Sequence, residues 1–326
     1  MKVQKSIRNG NEGASGSTAR QDGISVVIPC HNEAKYVGQA IQSVIEQTYS
    51  PIEILVVDDG STDDTREVAE GFGSAVEYLY QDHGGVCRAR NFGIGVARFA
   101  HIIFLDADDR MVADAAEIMI STMDQYGEGC ALMTAGIHLT GDDGVPTAEA
   151  SMEMPDTMIT FEDLILRNRV AGSPMARKQA ILDVGGFDET LSHSEDRDLW
   201  IRLAARWQVV KVGHTLTIVI DRPSSASKNA EKMKTGMMRV LRKSRQLECS
   251  DSVSETDWIA ARSVVHYQCS LIFSTQGLQL SAIKELLFSL FLYPGSLRHV
   301  FPESPSFPRL RRLIGLFCFR MRTPLR

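Results

Sequence analysis

Two apolar patterns alternate along the first part of the chain. Short continuous runs occur at 24–28 (ISVVI), 53–57 (EILVV), 76–80 (VEYLY) and 101–105 (HIIFL). Runs of this length, rich in β-branched residues and bounded by glycine, proline or acidic turns, predict strands buried on both faces. Between them the apolar positions follow a helical period. Val37, Ala40, Ile41, Val44 and Ile45 make one face of a helix over 34–47, and a second helix is predicted over 86–97. After DDGSTDDT a further helix is expected, capped by Ser61 or Thr62 and carrying Asp63 and Asp64 in its first turn. This repeated strand–helix alternation predicts an α/β fold, a mostly parallel sheet with helices on both faces. Helix 113–123 and strand 130–137 continue it.

The regularity then stops. A polar connector fills 141–157, and Thr160 with Asp163 forms a capping box for a helix through Arg167. A loop begins at Gly172-Ser173-Pro174 and a tight turn spans 182–189. The helix over 195–207 places Leu199, Trp200, Leu203, Ala204 and Trp207 on one face; two strands, 208–212 and 215–220, follow. From about residue 228 the pattern is helical. Three regions are therefore expected: a polar, disordered leader at 1–22, an α/β domain at 23–225 and a helical region at 226–326.

That last region ends in a basic amphipathic tail. After Glu303 there is no acidic residue, while Arg309, Arg311, Arg312, Arg320, Arg322 and Arg326 interleave with Leu310, Leu313, Ile314, Leu316, Phe317 and Phe319. Such a helix either lies in an anionic membrane interface or docks its apolar side on the catalytic domain. The apolar run at 286–293 stops at Pro294-Gly295 and is too short to span a bilayer.

Composition narrows the partners. A net charge of -6 argues against nucleic acid, which wants a basic footprint. Six scattered cysteines with no CxxC pair read as reduced thiols in a cytoplasmic protein.

The candidate chemistry is carboxylate chemistry. Asp106, Asp108 and Asp109 follow the strand 101–105, Asp58 and Asp59 end the strand 53–57, and Glu195 and Asp196 open a helix. Acids packed this closely repel one another unless something cationic sits among them, and such oxygen donors suit a hard cation such as Mg²⁺. Parallel strands present their ends at one edge of a sheet, so the first two groups can share a crevice. Taken singly, each group is also explained as a helix cap or an acidic helix start. A phosphoacceptor receiver domain is the rival functional reading, but it needs a later lysine at a strand end, which this chain lacks.

Six segments in order decide between these readings: ISVVIPCHNEAKYVGQAIQSVIEQTY, ILVVDDGSTDDT, GGVCRARNFGI, IIFLDADD, GGFDE and EDRDLWIRLA. Together they resemble the inverting glycosyltransferases of family 2, over roughly residues 23 to 225. The resemblance implies a GT-A type nucleotide-binding sandwich, a UDP-sugar donor and a divalent cation, Mn²⁺ or Mg²⁺. Pro29, His31 and Glu33 match the loop that contacts the nucleoside, with the His31 ring placed to stack on the base. Asp58 or Asp59, by preference Asp59, matches the acceptor for a ring N–H of the base, with Asp58 holding the loop. Gly85 and Arg90 match the segment lining the nucleotide. Asp106 and Asp108 match the DxD pair, Asp108 as cation ligand and Asp106 facing ribose, sugar or cation. Asp196 matches the catalytic base, beside Glu195 in a positioning role.

The sequence departs from the family at two points. The QxxRW string of polymer-forming members is missing, since RLAARW at 202–207 falls inside a helix and reads as core packing. Transfer of one sugar to a glycan or lipid-linked acceptor is therefore implied, in cell-surface polysaccharide or glycolipid synthesis. Second, Arg222 stands where many members carry histidine, and an arginine there can pair with diphosphate oxygens. Transfer to a polyprenyl phosphate, and nucleotide-sugar binding without catalysis, remain as alternatives.

Overall fold

The structure is a computed structural model that describes residues 23–141, 154–222, 225–297, 300 and 308–322. The expected leader at 1–22 and most of the connector at 141–157 lie outside the described residues.

Strands β1 (Ile24–Cys30), β2 (Ile52–Asp59), β3 (Glu77–Gln81) and β4 (His101–Phe104) pair in parallel in the order β3-β2-β1-β4. They alternate with helices α1 (Val37–Ile45), α2 (Thr65–Glu70) and α3 (Val86–Val96). Beyond β4 the sheet becomes mixed. β8 (Met175–Arg177) runs antiparallel to both β4 and β6 (Cys130–Thr140), and β9 (Gln208–Ile220) is parallel to β6. The short strands β5 (Arg110–Met111) and β7 (Thr157–Ile159) pair antiparallel with β9.

The two strands expected at 208–212 and 215–220 are thus one, β9. Gly213 does not break it; register shifts against β6 absorb the irregularity near Thr215. Because two reversals separate β4 from β6, β6 and β9 point the same way as β1, β2 and β4. The residues after Ile220 therefore reach the same edge as Asp59 and Asp106.

The core has two faces. Helices α1, α2 and α4 (Ala115–Tyr126) cover one, through residues such as Ile41, Val44 and Met119. The other is covered by α3, α5 (Phe161–Leu166), α7 (Glu195–Ala204) and the first helices of the C-terminal region, α8 (Ala230–Ser244) and α9 (Glu255–Thr275). The short helix α6 (Lys178–Asp183) adds Ile181 to this face. Gly93 of α3 lets the helix lie directly on β1, since a Cβ there would stand 2.5 Å from a Val27 methyl. Trp200, Leu203, Met237, Val240 and Trp258 belong to one continuous cluster, so the helical region completes the α/β core.

Local signals account for the helix starts. The Thr160–Asp163 capping box is present at α5, Asn229 caps α8 and Ser254 caps α9. The expected cap at Ser61 or Thr62 is not made: α2 begins at Thr65, and Asp64 makes no side-chain cap bond. Both hydroxyl residues are used elsewhere, as described below.

Helices α10 (Gln279–Leu292) and α11 (Pro308–Arg322) follow. The tail helix docks: Arg309 is 2% exposed, with Nη1 donating to Ser263 Oγ at 2.7 Å and to the Ser289 carbonyl at 3.0 Å. On the same helix Leu310 and Ile314 stay exposed.

Candidate active site at the strand ends

A cavity of about 560 Å³ opens at the edge where β1, β2, β4 and β9 end. Its lining includes Pro29, His31, Glu33, Asp59, Gly85, Arg90, Asp106, Asp108, Glu195 and Arg222. The size suits a small-molecule ligand. Of the residues singled out from sequence, Asp58 and Asp196 do not line it.

The β1–α1 loop is fastened to the β2–α2 loop. Asn32 adopts the left-handed conformation (φ 57°); its N–H donates to Ser61 Oγ at 2.8 Å and its side-chain oxygen accepts from the Thr62 N–H at 2.8 Å. The Glu33 N–H donates to Thr65 Oγ1 at 2.9 Å. These links take Ser61 and Thr62 away from capping and set the height of Glu33 over the cavity.

Asp58 and Asp59 are both saturated by the chain. Asp58 accepts from the Ser61 N–H at 2.7 Å and the Tyr78 hydroxyl at 2.6 Å. Asp59 Oδ1 accepts from Gln81 Nε2 at 2.6 Å and the Gly84 N–H at 2.8 Å. Its Oδ2 accepts from the Gly85 N–H at 2.7 Å and meets His83 Nδ1 at 2.9 Å. Burial acts to raise the Asp59 pKa, but these donors outweigh it and hold the carboxyl below its ordinary value. A base N–H reaches Asp59 only by displacing one of them, and His83 is the exposed side chain of the set. Gly85 has φ 92°, where a side chain would be strained.

His31 Nδ1 lies 2.8 Å from the Asp59 carbonyl, which only accepts, so that nitrogen carries the proton. Its ring centroid lies 4.3 Å from that of His83, the planes tilted by 33°, an aromatic pair at the cavity wall.

Two arginines organise the acids. Arg90, buried on α3, donates to Asp106 Oδ1 at 2.8 Å and to Glu195 Oε1 at 3.0 Å, over the Phe187 ring. Although burial opposes its charge, Asp106 and Glu195 hold its guanidinium more firmly protonated than usual. Arg222, just past β9, donates from Nη1 to Glu33 Oε2 at 2.9 Å and from Nη2 to Glu33 Oε1 at 3.1 Å. Nη2 also contacts Asp108 Oδ2, and the guanidinium lies over the Tyr36 ring at 4.7 Å. The diphosphate-facing arginine of the sequence reading is engaged with carboxylates.

Ser194 adopts a left-handed conformation (φ 62°), and α7 starts directly after it with Glu195 and Asp196. Glu195 enters the cavity wall, while Asp196 lies beside it and accepts from Asn168 Nδ2 at 2.9 Å. Desolvation, reinforced by Glu195, pushes the Asp196 carboxyl up to about 6; Arg90 and Asn168 offset this only in part. A carboxylate with a raised pKa is what proton abstraction near neutrality asks for.

The donor set fits a hard cation. Burial raises Asp108 and Asp109, and repulsion from Asp106 adds to it; for Asp108 this happens despite Arg222. Negative charge in this corner is therefore under-compensated. Among the described residues, no group of three or more His, Cys, Asp or Glu side chains is arranged to hold a metal. A cation here would use one or two carboxylates, with phosphate oxygens completing its shell.

Asn168, Tyr36 and Gln81 belong to the site and carry no sequence signal. Each meets its partner across the fold, from a position no motif marks.

A mostly parallel sheet flanked by helices, with a cavity and an acidic cluster at its strand ends, is a GT-A type arrangement. The fold agrees: S. aureus TarS 1–349, solved with UDP-GlcNAc, matches with a TM-score of 0.62 at 16% identity, over 82% of this chain and 81% of that one. The mannosyltransferase PcManGT from Pyrobaculum calidifontis, solved with GDP-Man and Mn²⁺, matches with a TM-score of 0.56 at 12% identity, over 92% and 81%. The family model for glycosyl transferase family 2 matches residues 25–184, and the chain belongs to that family through this domain. An uncharacterized glycosyltransferase of Rickettsia prowazekii is 30% identical over 186 residues, 55% of this chain. The chain spans less than two thirds of the length of such relatives, 58% for this one.

Proposed function

We propose that the protein transfers one sugar, with inversion, from a UDP-sugar to a hydroxyl of a glycan or lipid-linked acceptor. The observation that carries the reading is that one cavity brings a cation-suited acidic corner to Glu195, the neighbour of Asp196 at the start of α7. Pro29 and the His31 ring provide a surface for the base, and Asp59 provides an acceptor once His83 gives way. Arg90 fixes Asp106 and Glu195, which keeps the sugar-facing wall rigid. A divalent cation on Asp108, with Asp106 beside it, would act as Lewis acid and template for the departing diphosphate. Asp196 takes the proton of the acceptor hydroxyl, and no protein nucleophile is required for direct displacement. Screening UDP-, GDP- and dTDP-sugars for nucleotide release, with Mn²⁺ or with chelator, tests this. Release confined to UDP-sugars and to the Mn²⁺ arm is expected; Mn²⁺-independent release, or a preference for GDP-sugars, would reject it.

The surface of the helical region supports the reading that the acceptor lies at a membrane. α10 leaves Leu280, Leu287, Phe288 and Phe291 exposed, Phe291 to 84%, and α11 adds Leu310 and Ile314. The one acid on either helix, Glu285, is buried and bound to Lys234 and His266, whereas Lys284 and Arg311 are exposed. An apolar surface with basic residues and no exposed acid suits an anionic bilayer. Among the described residues no helix is long and apolar enough to cross a membrane, so contact would be peripheral. Sedimentation with phosphatidylserine-containing vesicles is expected to pull down the protein, and Leu287→Glu with Phe291→Glu to abolish this. Equal recovery of the double variant would reject the surface.

A further inference from the structure

Arg222 holds the oxygen that a cation would use. Its Nη2 contacts Asp108 Oδ2 while both amino groups grip Glu33, at 2.9 and 3.1 Å, and the Tyr36 ring covers the guanidinium face at 4.7 Å. Arg222, Glu33 and Asp108 keep 17%, 21% and 17% of their side-chain surface, so water screens the cluster only partly. Its Nε is buried without a partner in this arrangement.

A divalent cation and a guanidinium cannot share that carboxylate cheaply. At a few ångströms in a half-buried setting their repulsion is only partly screened. A cation arriving alone must therefore expel Arg222 from Asp108 while offering it nothing in return. A diphosphate arriving with the cation changes the exchange, because phosphate oxygens accept a planar, bidentate guanidinium as well as a carboxylate does.

Building on the proposed donor and cation, we propose that Arg222 is a positioning residue that makes cation and nucleoside diphosphate load together. It disfavours the cation in the nucleotide-free protein by occupying Asp108, and moves onto the diphosphate when both arrive. Coupling of this kind is reciprocal between the two ligands. It is not legible from the sequence, since residues 33, 108 and 222 come from three different loops.

Mn²⁺ binding to the full chain, followed by the loss of the free-ion electron paramagnetic resonance signal, tests it with and without UDP. The wild type is expected to bind Mn²⁺ weakly alone and tightly with UDP. Arg222→Gln is expected to tighten Mn²⁺ alone by about tenfold, within the usual range of coupling between sites, and to leave less enhancement by UDP. Arg222→Lys, which keeps the charge without the two-carboxylate bridge, should fall between. Lys228→Gln removes a nearby positive charge that pairs with Asp221 rather than with Asp108, and should change little. Unchanged or weaker Mn²⁺ binding by a folded Arg222→Gln, or equal tightening by Lys228→Gln, overturns the inference while leaving the cation site standing. A wild type that binds no Mn²⁺ even with UDP removes the cation site and the inference together.

Discussion

Asp196→Asn is expected to lower kcat by roughly 10²–10⁴-fold while UDP and Mn²⁺ affinities stay near those of the wild type. The asparagine keeps the shape and the contact with Asn168, and Asp196 does not line the nucleotide cavity, so binding has no reason to change. Proton removal matters only as the transition state forms, which places the loss in kcat. The wild-type rate should fall as pH drops below about 6, where burial and Glu195 have placed this carboxyl, and the variant should lose that limb. Stability should move the opposite way. A folded pKa above the unfolded one means that Asp196 favours the fold only as pH falls through about 6 toward the ordinary carboxylate range. Above that window the ionised, desolvated group weighs against the fold, so Asp196→Asn should melt higher than wild type at pH 7 to 8. Near-normal turnover on the true acceptor would mean that Glu195-Asp196 is only a helix start.

Asp108→Ala is expected to abolish Mn²⁺-dependent UDP binding, and transfer with it. Asp108 is the half-buried acid of the cluster: Asp106 is bound by Arg90 and Asp109 is buried beneath. The substitution also removes one of the two carboxylates that hold Arg222, leaving Glu33 alone to position it. Isothermal titration of UDP with and without Mn²⁺ reads the effect directly. Retained Mn²⁺-dependent UDP binding would shift the cation to Asp106 and Glu33. Circular dichroism of the variant should match wild type, since Asp108 lies in the loop after β4 and is not part of the apolar core.

The strands β1 to β4 and helices α1 and α3 were legible because their signals are local. A continuous β-branched run can hide only inside a sheet, and Val37, Ala40, Ile41 and Val44 can share a surface only on a helix. The acids at the ends of β2 and β4 were legible for the same reason, as parallel strands share an edge. The cap at Ser61 or Thr62 failed because a hydroxyl near a helix start has competitors, here Asn32 across the loop. Strand β9 was divided at Gly213-His214 because glycine reads as punctuation, whereas pairing along β6 carries the strand through.

Sequence alone determined the α/β class, the family resemblance and the acids that crowd one edge, since each rests on spacing along the chain. Tertiary structure decided which partners those acids meet. Two antiparallel pairings around β8 turn β9 so that it delivers Arg222 to Asp108, and the left-handed Ser194 sets Glu195 against Arg90. Asp59, the expected base acceptor, is satisfied by donors two dozen residues away. The physical reason is that charge compensation and hydrogen-bond saturation depend on distances between atoms remote in sequence, and only the folded chain sets those distances.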